Sequence, residues 1–371
     1  MRYYIIAGEA SGDLHGSNLI ASLHQQDPQA VIRCWGGDKM QAAGASLVKH
    51  YRELAFMGFA EVIKNLPTIL RNLRLCKDDI RSFHPDVLIC IDYPGFNLRI
   101  AKWAHAQKIR VVYYIAPQVW AWKENRVKEM KHTIDQLLVI LPFEKDFFAS
   151  RWQWTVSYVG HPLVQVIDNA KKVPVIEPLS DKPIVALLPG SRQQEIAKKL
   201  PVMLAVSRSF PNHQFVVAKA PGTSDTFYAD LLAAYPNVTV VSDQTYPLLQ
   251  QAKAALVTSG TATLETALFG VPQVVCYKGS WLSYQIGKRL VKVPFISLVN
   301  LIMNKAVVTE LIQDNLTPTS LTTALQELLA DTPKRKQVEE DYLQLHQLLS
   351  QRGNASVQAA SLIIAGLKRS A

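Results

Sequence analysis

The sequence predicts an α/β fold built from two doubly wound domains, each around a parallel sheet. Short apolar runs end abruptly in Gly, Pro, Ser or Asp and lack polar alternation, as strands buried on both faces do. Segments of helical periodicity separate these runs, and the alternation recurs in both halves of the chain. The predicted strands are residues 3–7, 87–91, 111–115, 137–141, 184–188, 215–218, 238–241 and 254–257.

The length of 371 residues exceeds one ordinary hydrophobic core and predicts two domains. A proline-rich, charged stretch after residue 168 separates the two β-α series, so we expect domains at 1–168 and 169–350. The remaining residues, 351–371, are expected to form a C-terminal helix that crosses back to the first domain. Two such domains facing across a cleft make the GT-B architecture, in which the first holds an acceptor and the second a nucleotide.

The composition excludes several functional classes. With 49% hydrophobic and 19% charged residues the chain is globular, and its +10 net charge is spread over both halves without a basic tail. Such a field suits anionic small molecules or an anionic membrane surface, and no nucleic acid is expected. The four cysteines lack paired spacing and no histidine pair has metal-ligand spacing, so we expect buried free thiols, no metal and no cofactor. Without a signal peptide or an apolar run of spanning length, the protein is expected in the cytoplasm.

A small-residue turn after the run 254–257 predicts a nucleotide diphosphate site. The turn is followed by a helix, whose first N–H groups and dipole attract an anion. A diphosphate bound there would leave a carboxylate one turn into the helix to accept hydrogen bonds from a ribose. An ordinary capped helix explains the turn equally well. The residues are Ser259, Gly260, Thr261, Ala262 and, in the helix, Glu265.

The first predicted strand of the second domain ends in a second set of anion-binding groups. Gly190 and Ser191 offer backbone and hydroxyl donors, and Arg192 can neutralise a diphosphate with a bidentate fork. A cation there would stabilise a leaving diphosphate as its charge develops. The other interpretation is a surface arginine at a helix start, where the helix dipole disfavours it.

The first strand of the chain runs into a loop with two glycines and two carboxylates. Gly8 and Gly12 let the backbone turn tightly and a ligand approach, while Glu9, Ser11 and Asp13 follow the strand end. These residues predict a substrate site. The alternative is a helix cap made by Asp13 or Ser11.

The ends of two further strands carry the groups expected to act on an acceptor. Asp92 ends a buried strand and suits a general base, with Asn97 a few residues on, although Asp92 could instead cap its own turn. The segment with Gln118 and Trp120 places indole rings beside cations that could contact a sugar face or a phosphate-bearing lipid. A buried core tryptophan is the alternative.

Two apolar segments edged with cations predict contact with a membrane surface or with a second copy of the chain. The first runs from Leu54 to Leu75, and the second from Trp281 to Lys292. On periodicity alone, a core helix is the better interpretation of the first segment.

Taken together and in order, these elements resemble the lipid-A-disaccharide synthase family, a GT-B glycosyltransferase family, over nearly the whole chain. The resemblance implies an inverting transfer from UDP-2,3-diacylglucosamine to 2,3-diacylglucosamine 1-phosphate, giving lipid A disaccharide 1-phosphate and UDP, without a metal. The matching segments are 8–13, 54–62, 92–97, 117–123, 141–145, 159–162, 187–192, 259–265, 288–292 and 297–302.

The same resemblance implies roles for individual residues. Asp92 falls at the family's proposed base, Arg192 at its important nucleotide-side arginine, Glu265 at the ribose-contacting acid, and Asn300 in an Asn-Leu segment expected to contact substrate. It also favours the membrane interpretation of Leu54 to Leu75, with the protein peripheral on the cytoplasmic face of the inner membrane. The remaining alternatives are another UDP-N-acetylglucosamine enzyme of this fold, a lipid-acceptor transferase or 2-epimerase, or a nucleotide-sugar-binding module without catalysis.

Overall fold

The structure, a computed structural model, describes residues 1–54, 66–280, 284–285 and 293–369. The chain divides into two compact units. Unit 1 comprises Met1–Pro162 and Leu349–Ala371, and unit 2 comprises Leu163–Leu348. The sequence prediction had placed these divisions after residues 168 and 350.

Unit 1 is built on a parallel sheet with the strand order β3-β2-β1-β4-β5-β6-β7 among the described residues. The central strands are buried on both faces because helices cover both. The strands are β1 Arg2–Ala7, β2 Val31–Gly36, β3 Ser46–His50, β4 Val87–Ile91, β5 Arg110–Tyr114, β6 Gln136–Val139 and β7 Ser157–Tyr158. The helices are α1 Ala10–Gln26, α2 Asp38–Ala42, α3 Leu66–Phe83, α4 Pro94–Ala106, α5 Arg126–Thr133 and α6 Pro142–Trp152.

Unit 2 contains a second parallel sheet, in which the described strands follow the order β10-β9-β8-β11-β12-β13. The strands are β8 Ile184–Leu188, β9 Gln214–Lys219, β10 Val238–Ser242, β11 Ala252–Thr258, β12 Gln273–Tyr277 and β13 Thr309–Ile312. The helices are α7 Pro162–Lys171, α8 Gln193–Ser207, α9 Asp225–Leu232, α10 Thr245–Gln251, α11 Thr261–Phe269, α12 Leu298–Met303, α13 Pro318–Leu329 and α14 Pro333–Ser350.

The last helix, α15 Ala355–Lys368, belongs to unit 1 and packs along α1. Asn354 caps it by accepting hydrogen bonds from the N–H groups of Ser356 and Val357. Two side-chain contacts fasten the helix pair: the hydroxyl of Ser361 and the backbone carbonyl of Val357 both bond the amide of Gln26.

Each sheet has one point where the strand order reverses. In unit 1 the reversal lies between β1 and β4, and in unit 2 it lies between β8 and β11. In open parallel sheets, ligands bind outside the carboxyl ends of the strands at such a point. The two reversals therefore direct attention to the loops that follow these four strands.

The predicted α/β class with two parallel, Rossmann-like sheets is confirmed. All eight predicted strands exist within a residue or two of their expected bounds. The sequence analysis did not predict the remaining five strands: β2, β3, β7, β12 and β13. The four cysteines are free and buried, as expected.

The two predicted membrane segments lie largely outside the described residues, which resume at Leu66 in the first segment and include only 284–285 of the second. The described part of α3 buries Leu73, Cys76 and Ile80 and exposes Leu70 and Leu75. In the described portion of the chain, no helix combines the length and apolarity needed to cross a membrane.

Candidate active site

Asp92 lies directly after β4, in a backbone conformation that few residues adopt. Asp92 and Tyr93 both have positive φ, 42° and 49°, although neither is glycine. Left-handed conformations cost a non-glycine residue about 1–3 kcal/mol, and they persist only where the surroundings enforce them. Such strain at the carboxyl end of a central strand points to a functional position.

Two buried side chains hold the backbone of Asp92 in this conformation. Its carbonyl oxygen accepts hydrogen bonds from the Asn97 amide at 2.8 Å and from the Tyr113 hydroxyl at 2.6 Å. The same Asn97 amide also donates to the carbonyls of Ile6 and Ile91, so it ties the ends of β1 and β4 together. Asn97 is fully buried. Asn97 thus supports the backbone at the strand ends, and its predicted substrate contact stays a prediction.

The carboxyl group of Asp92 lies where its charged form is disfavoured. Burial, and secondly the negative charge of Glu9, raise the pKa of Asp92 to about 6, while a hydrogen bond from the Tyr93 N–H opposes the shift. A carboxylate of this basicity is still ionised at neutral pH, yet it accepts a proton more readily than an ordinary aspartate. The predicted Glu9 and Asp92 are therefore brought together at the reversal between β1 and β4.

The glycines of the first loop have separate structural causes. Gly8 is buried against the face of the Tyr93 ring, which an added Cβ would overlap. Gly12 lets α1 pack closely on β1, since a Cβ there would lie 3.1 Å from the Cβ of Ala7. Ser11 is exposed at the start of α1, where a ligand could reach it.

Asp13 has a structural role, and its predicted substrate contact stays a prediction. Its carboxylate is buried and accepts hydrogen bonds from the N–H groups of Gly37, Lys39 and Met40. These donors belong to the start of α2 and are otherwise without intrahelical partners. Asp13 therefore caps a neighbouring helix rather than its own.

The loop after β5 holds the two other residues predicted on the acceptor side. Gln118 is exposed and Trp120 is half-buried. The indole N–H of Trp120 donates to a carboxylate oxygen of Glu144 at 3.1 Å, and its ring meets Phe143 edge-on. Glu144 was not predicted: the segment 141–145 counted toward the family resemblance, but nothing in its sequence marked a buried acid.

In unit 2, the predicted anion site follows β11. Gly260, with a φ of 148°, is the residue before α11, and its carbonyl accepts bonds from the N–H and hydroxyl of Thr263. Ser259 donates to the carbonyl of Ile296, while Thr261 and Gly260 are exposed and Ala262 is half-buried. The start of α11 is exposed, so its first N–H groups, other than that of Thr263, can bind an anion.

Glu265 lies on the second turn of α11, half-buried. One of its carboxylate oxygens accepts a hydrogen bond from the Tyr246 hydroxyl at 2.9 Å. Burial raises the pKa of Glu265, and the bond from Tyr246 partly offsets that shift. Tyr246 therefore fixes the direction of the carboxylate and leaves its second oxygen to accept from a ligand hydroxyl.

The loop after β8 lies beside this helix, because β8 and β11 are neighbours in the sheet. Gly190 has a φ of 119°, and a Cβ added there would lie 3.0 Å from the carboxylate of Glu195. Ser191 and Arg192 are exposed. Arg192 approaches Glu195 at 3.5 Å, an exposed contact that a bound diphosphate could replace.

Asn300 links several segments of unit 2, and its predicted substrate contact stays a prediction. It is buried, its amide donates to the carbonyl of Val308 and to Glu310, and its carbonyl oxygen accepts from the Val308 N–H. Glu310 also accepts from the N–H groups of Ile296 and Ser297. This network positions the segment whose carbonyl bonds Ser259, so Asn300 supports the anion site from behind.

A surface cavity of about 680 Å³ lies at the opposite, amino-terminal edge of the unit 1 sheet. It is lined by residues just before β4 and β5, including Asp86, Lys108 and Arg110. Parallel sheets bind ligands at their carboxyl ends, so we assign the candidate site to the strand ends described above. The described residues contain no group of His, Cys, Asp and Glu that could hold a metal ion.

The two parallel sheets define a class, the proteins with two Rossmann-like domains of the GT-B fold. Two solved structures share this fold. The glycotransferase of kitacinnamycin matches with a TM-score of 0.66 at 15% identity, covering 98% of each chain. The UDP-GlcNAc 2-epimerase of Neisseria meningitidis, bound to UDP-GlcNAc, matches with a TM-score of 0.58 at 14% identity over the full length of both. At these identities the likeness shows the fold alone.

Sequence comparison identifies the family. The family model described as lipid-A-disaccharide synthetase matches residues 3–364. The lipid-A-disaccharide synthase of Syntrophus aciditrophicus is 38% identical over 376 residues, which cover 99% of this chain and 98% of the relative. The chain belongs to the lipid-A-disaccharide synthetase family and is a glycosyltransferase of lipid A biosynthesis. The predicted family and enzyme class are confirmed.

Gly8 and Gly95 form a matched pair for testing the contact beneath Tyr93. Gly8→Ala should lower the free energy of unfolding by about 1–3 kcal/mol, because the new Cβ displaces the Tyr93 ring. Gly95→Ala on α4 should be neutral or stabilising by up to ~1 kcal/mol, since no atom lies near its Cβ position. Urea denaturation measures both. Equal stability of the two variants would show that Tyr93 does not pack on Gly8.

The pKa of Asp92 predicts a pH-dependent stability difference. Because folding raises this pKa from 3.8 to about 6, the folded state is favoured below pH 3.8 and loses that contribution as pH rises through 6. Asn cannot ionise, so Asp92→Asn should be more stable than wild type at pH 8, with the difference vanishing near pH 4. Denaturant midpoints across this range test the claim, with the exposed Asp181→Asn as control. A constant difference would contradict it.

Proposed function

We propose that this protein transfers 2,3-diacylglucosamine from UDP to a hydroxyl of 2,3-diacylglucosamine 1-phosphate, with inversion at the anomeric carbon. The products are lipid A disaccharide 1-phosphate and UDP. The observation that carries the proposal is Asp92, a strained, buried carboxylate of raised pKa at the strand-order reversal of unit 1. Family membership supplies the reaction class.

Asp92 is the general base in this proposal. As the acceptor hydroxyl attacks the anomeric carbon, its proton becomes more acidic and passes to the Asp92 carboxylate. The bond from the anomeric carbon to the diphosphate breaks in the same step. Inversion needs one such displacement, one base and no covalent intermediate on the enzyme. Asn97 and Tyr113 fix the Asp92 backbone, so this residue is already in position when the acceptor binds.

Unit 2 binds UDP in this proposal. The open N–H groups of α11 and the exposed Arg192 receive the diphosphate, and Gly190 gives the backbone room to approach it. Because the leaving UDP gains negative charge as the glycosidic bond breaks, these groups bind the transition state more tightly than the ground state. The free oxygen of Glu265 accepts from the ribose, with Tyr246 holding the other.

We further propose that unit 1 contacts the cytoplasmic face of the inner membrane, where its acylated substrates reside. The described part of α3 supports this by exposing Leu70 and Leu75 beside Arg71 and Arg74. Apolar side chains edged with cations favour an anionic lipid surface. A second copy of this chain is the rival occupant of that face. Sedimentation of the protein together with anionic vesicles would show lipid binding. Sedimentation of the protein alone as a dimer, without detergent or vesicles, would instead show a homodimer.

The decisive experiment supplies both acylated sugars and identifies the products by mass spectrometry. We expect a disaccharide in wild type, and a fall of about 10²–10⁴-fold in Asp92→Asn with UDP affinity unchanged, because only the base is lost. A 2-epimerase would act on the UDP-sugar without acceptor, and a binding module would be indifferent to the substitution. Retained turnover in Asp92→Asn would remove this residue from the base role.

The pH dependence adds an independent signature to that experiment. Protonated Asp92 cannot accept a proton, so kcat/KM should fall as pH drops below about 6. Glu9→Gln removes a negative charge that raises this pKa, so its acid limb should move to lower pH while turnover at pH 8 persists.

Glu265→Gln tests the ribose contact. We expect UDP to bind about tenfold more weakly, as loss of a charge-assisted hydrogen bond predicts. The deoxyribose analogue of UDP should bind wild type and variant alike, because it lacks the hydroxyl that Glu265 accepts from. Calorimetric titration measures these affinities, and Glu327→Gln, exposed on α13, is the matched control. A variant that still discriminates between the two nucleotides would refute the contact.

A further inference from the structure

Glu144 is a buried acid that the proposed chemistry does not use. It lies in the first turn of α6, and its residue is 1% exposed. One carboxylate oxygen accepts from the N–H groups of Ile140 and Leu141, at 3.2 and 3.0 Å. The other accepts from the indole N–H of Trp120, at 3.1 Å.

Helix capping explains only part of this arrangement. An acid in the first turn commonly accepts from the backbone N–H of the residue before the helix, as Glu144 does from Leu141. Such caps usually lie at the surface, where an ionised carboxylate costs little. Glu144 is buried instead, and it takes a third donor from Trp120, which belongs to a different loop. Burial of an acid needs a compensating gain, and the bond to Trp120 is the feature a cap would not require.

The first turn of α6 fixes the Trp120 ring at two places. Glu144 holds the indole nitrogen, and Phe143 meets the ring edge-on with centroids 4.9 Å apart and planes at 89°. The neighbouring Val119 is buried, which anchors the loop. Trp120 is half-buried and lies in the loop that follows β5, the strand that pairs with β4, so this loop and Asp92 follow neighbouring strand ends at the carboxyl edge of the sheet.

The charges around Glu144 link it to Asp92. Burial raises the pKa of Glu144 to about 7, its three hydrogen bonds oppose the shift, and the negative charge of Asp92 raises it further. Tyr158 is the other titratable group nearby: the pKa of its hydroxyl is raised to about 12, first by burial, with Arg352 lowering and Glu144 raising it. Asp92 and Glu144 thus sense each other as like charges.

We propose that Glu144 is a positioning residue for the sugar transfer, holding the Trp120 indole as a fixed face on which the acceptor sugar rests beside Asp92. A sugar ring presents an apolar face that packs against an aromatic ring. A fixed ring would orient the acceptor hydroxyl toward the base without an entropic cost at each turnover. This inference rests on the proposed function, because it assigns the acceptor to this edge of unit 1.

A kinetic double-mutant cycle tests the inference. Glu144→Gln and Trp120→Phe should each raise the KM for the acceptor about tenfold, with the KM for the UDP-sugar and kcat changed by less than about threefold. In Glu144→Gln the single amide oxygen is expected to accept from the N–H groups of Ile140 and Leu141, which leaves an NH2 group facing the indole N–H. The double variant should therefore be no worse than either single one, because each single substitution already loses the indole bond. Additive losses, or equal losses toward both substrates, would show a general structural role and overturn the proposal. Glu129→Gln, exposed on α5, is the control.

A spectroscopic test does not depend on turnover. The ¹⁵N-indole resonance of Trp120, assigned by its absence in Trp120→Phe, should titrate with a midpoint near 7 as Glu144 ionises. In Asp92→Asn the midpoint should fall, since the like charge is gone, and in Glu144→Gln the titration should disappear. If the midpoint does not move in Asp92→Asn, the charge of Asp92 does not act on Glu144. If these shifts occur while wild type makes no disaccharide, the proposed function fails and the coupling of the two acids stands.

Discussion

Parallel pairing of β1 with β4, and of β8 with β11, determines where each unit can bind a ligand. At these pairs the following helices lie on opposite faces of the sheet, so the loops diverge and leave the carboxyl strand ends open. Polar groups and free helix N–H groups can collect there without interrupting a hydrophobic core. The candidate residues of both units, Asp92 and Glu9 in one and Arg192 and Glu265 in the other, follow these four strands.

At the open edge of unit 1, buried polar side chains donate hydrogen bonds to the backbone carbonyls of the strand ends. Left-handed φ angles at Asp92 and Tyr93 cost about 1–3 kcal/mol each. The hydrogen bonds that Asn97 and Tyr113 donate to the Asp92 carbonyl each stabilise the folded state by about 1 kcal/mol. Because these groups are buried, loss of either bond would leave an unpaired polar group and destabilise the fold further. The conformation is therefore a property of the surrounding strands and not of the loop, which explains how a non-glycine turn survives beside a site that must stay accessible.

The sequence is informative about strands that are buried on both faces and less so elsewhere. β4 and β8 consist of continuous apolar residues, which only a central parallel strand requires. β3 and β13 lie at sheet edges, where half-buried polar residues erase that pattern. β12 begins with Gln273, a buried polar residue whose amide donates to the carbonyl of Thr263 and to the hydroxyl of Tyr342, the second of which lies far along the chain.

The same limit separates the site residues that sequence could identify from those it could not. Asp13, Asn97 and Asn300 follow turns as ligand-binding residues do, but each bonds backbone groups of other segments. Asp13 illustrates the difficulty, because its donors lie at 37–40 and are invisible in the local sequence. Glu144 is the opposite case, an acid with an ordinary capping position that acquires its importance from the Trp120 indole.

Burial raises the pKa of both acids, and the hydrogen bonds that each accepts oppose that shift. Glu144 receives three N–H bonds, which hold its carboxylate in place. For Asp92, burial outweighs the opposing hydrogen bond from Tyr93, which keeps its carboxylate basic. One edge of a sheet can in this way hold two neighbouring acids with different duties, the less satisfied one accepting a proton and the more satisfied one fixing the ring beside it.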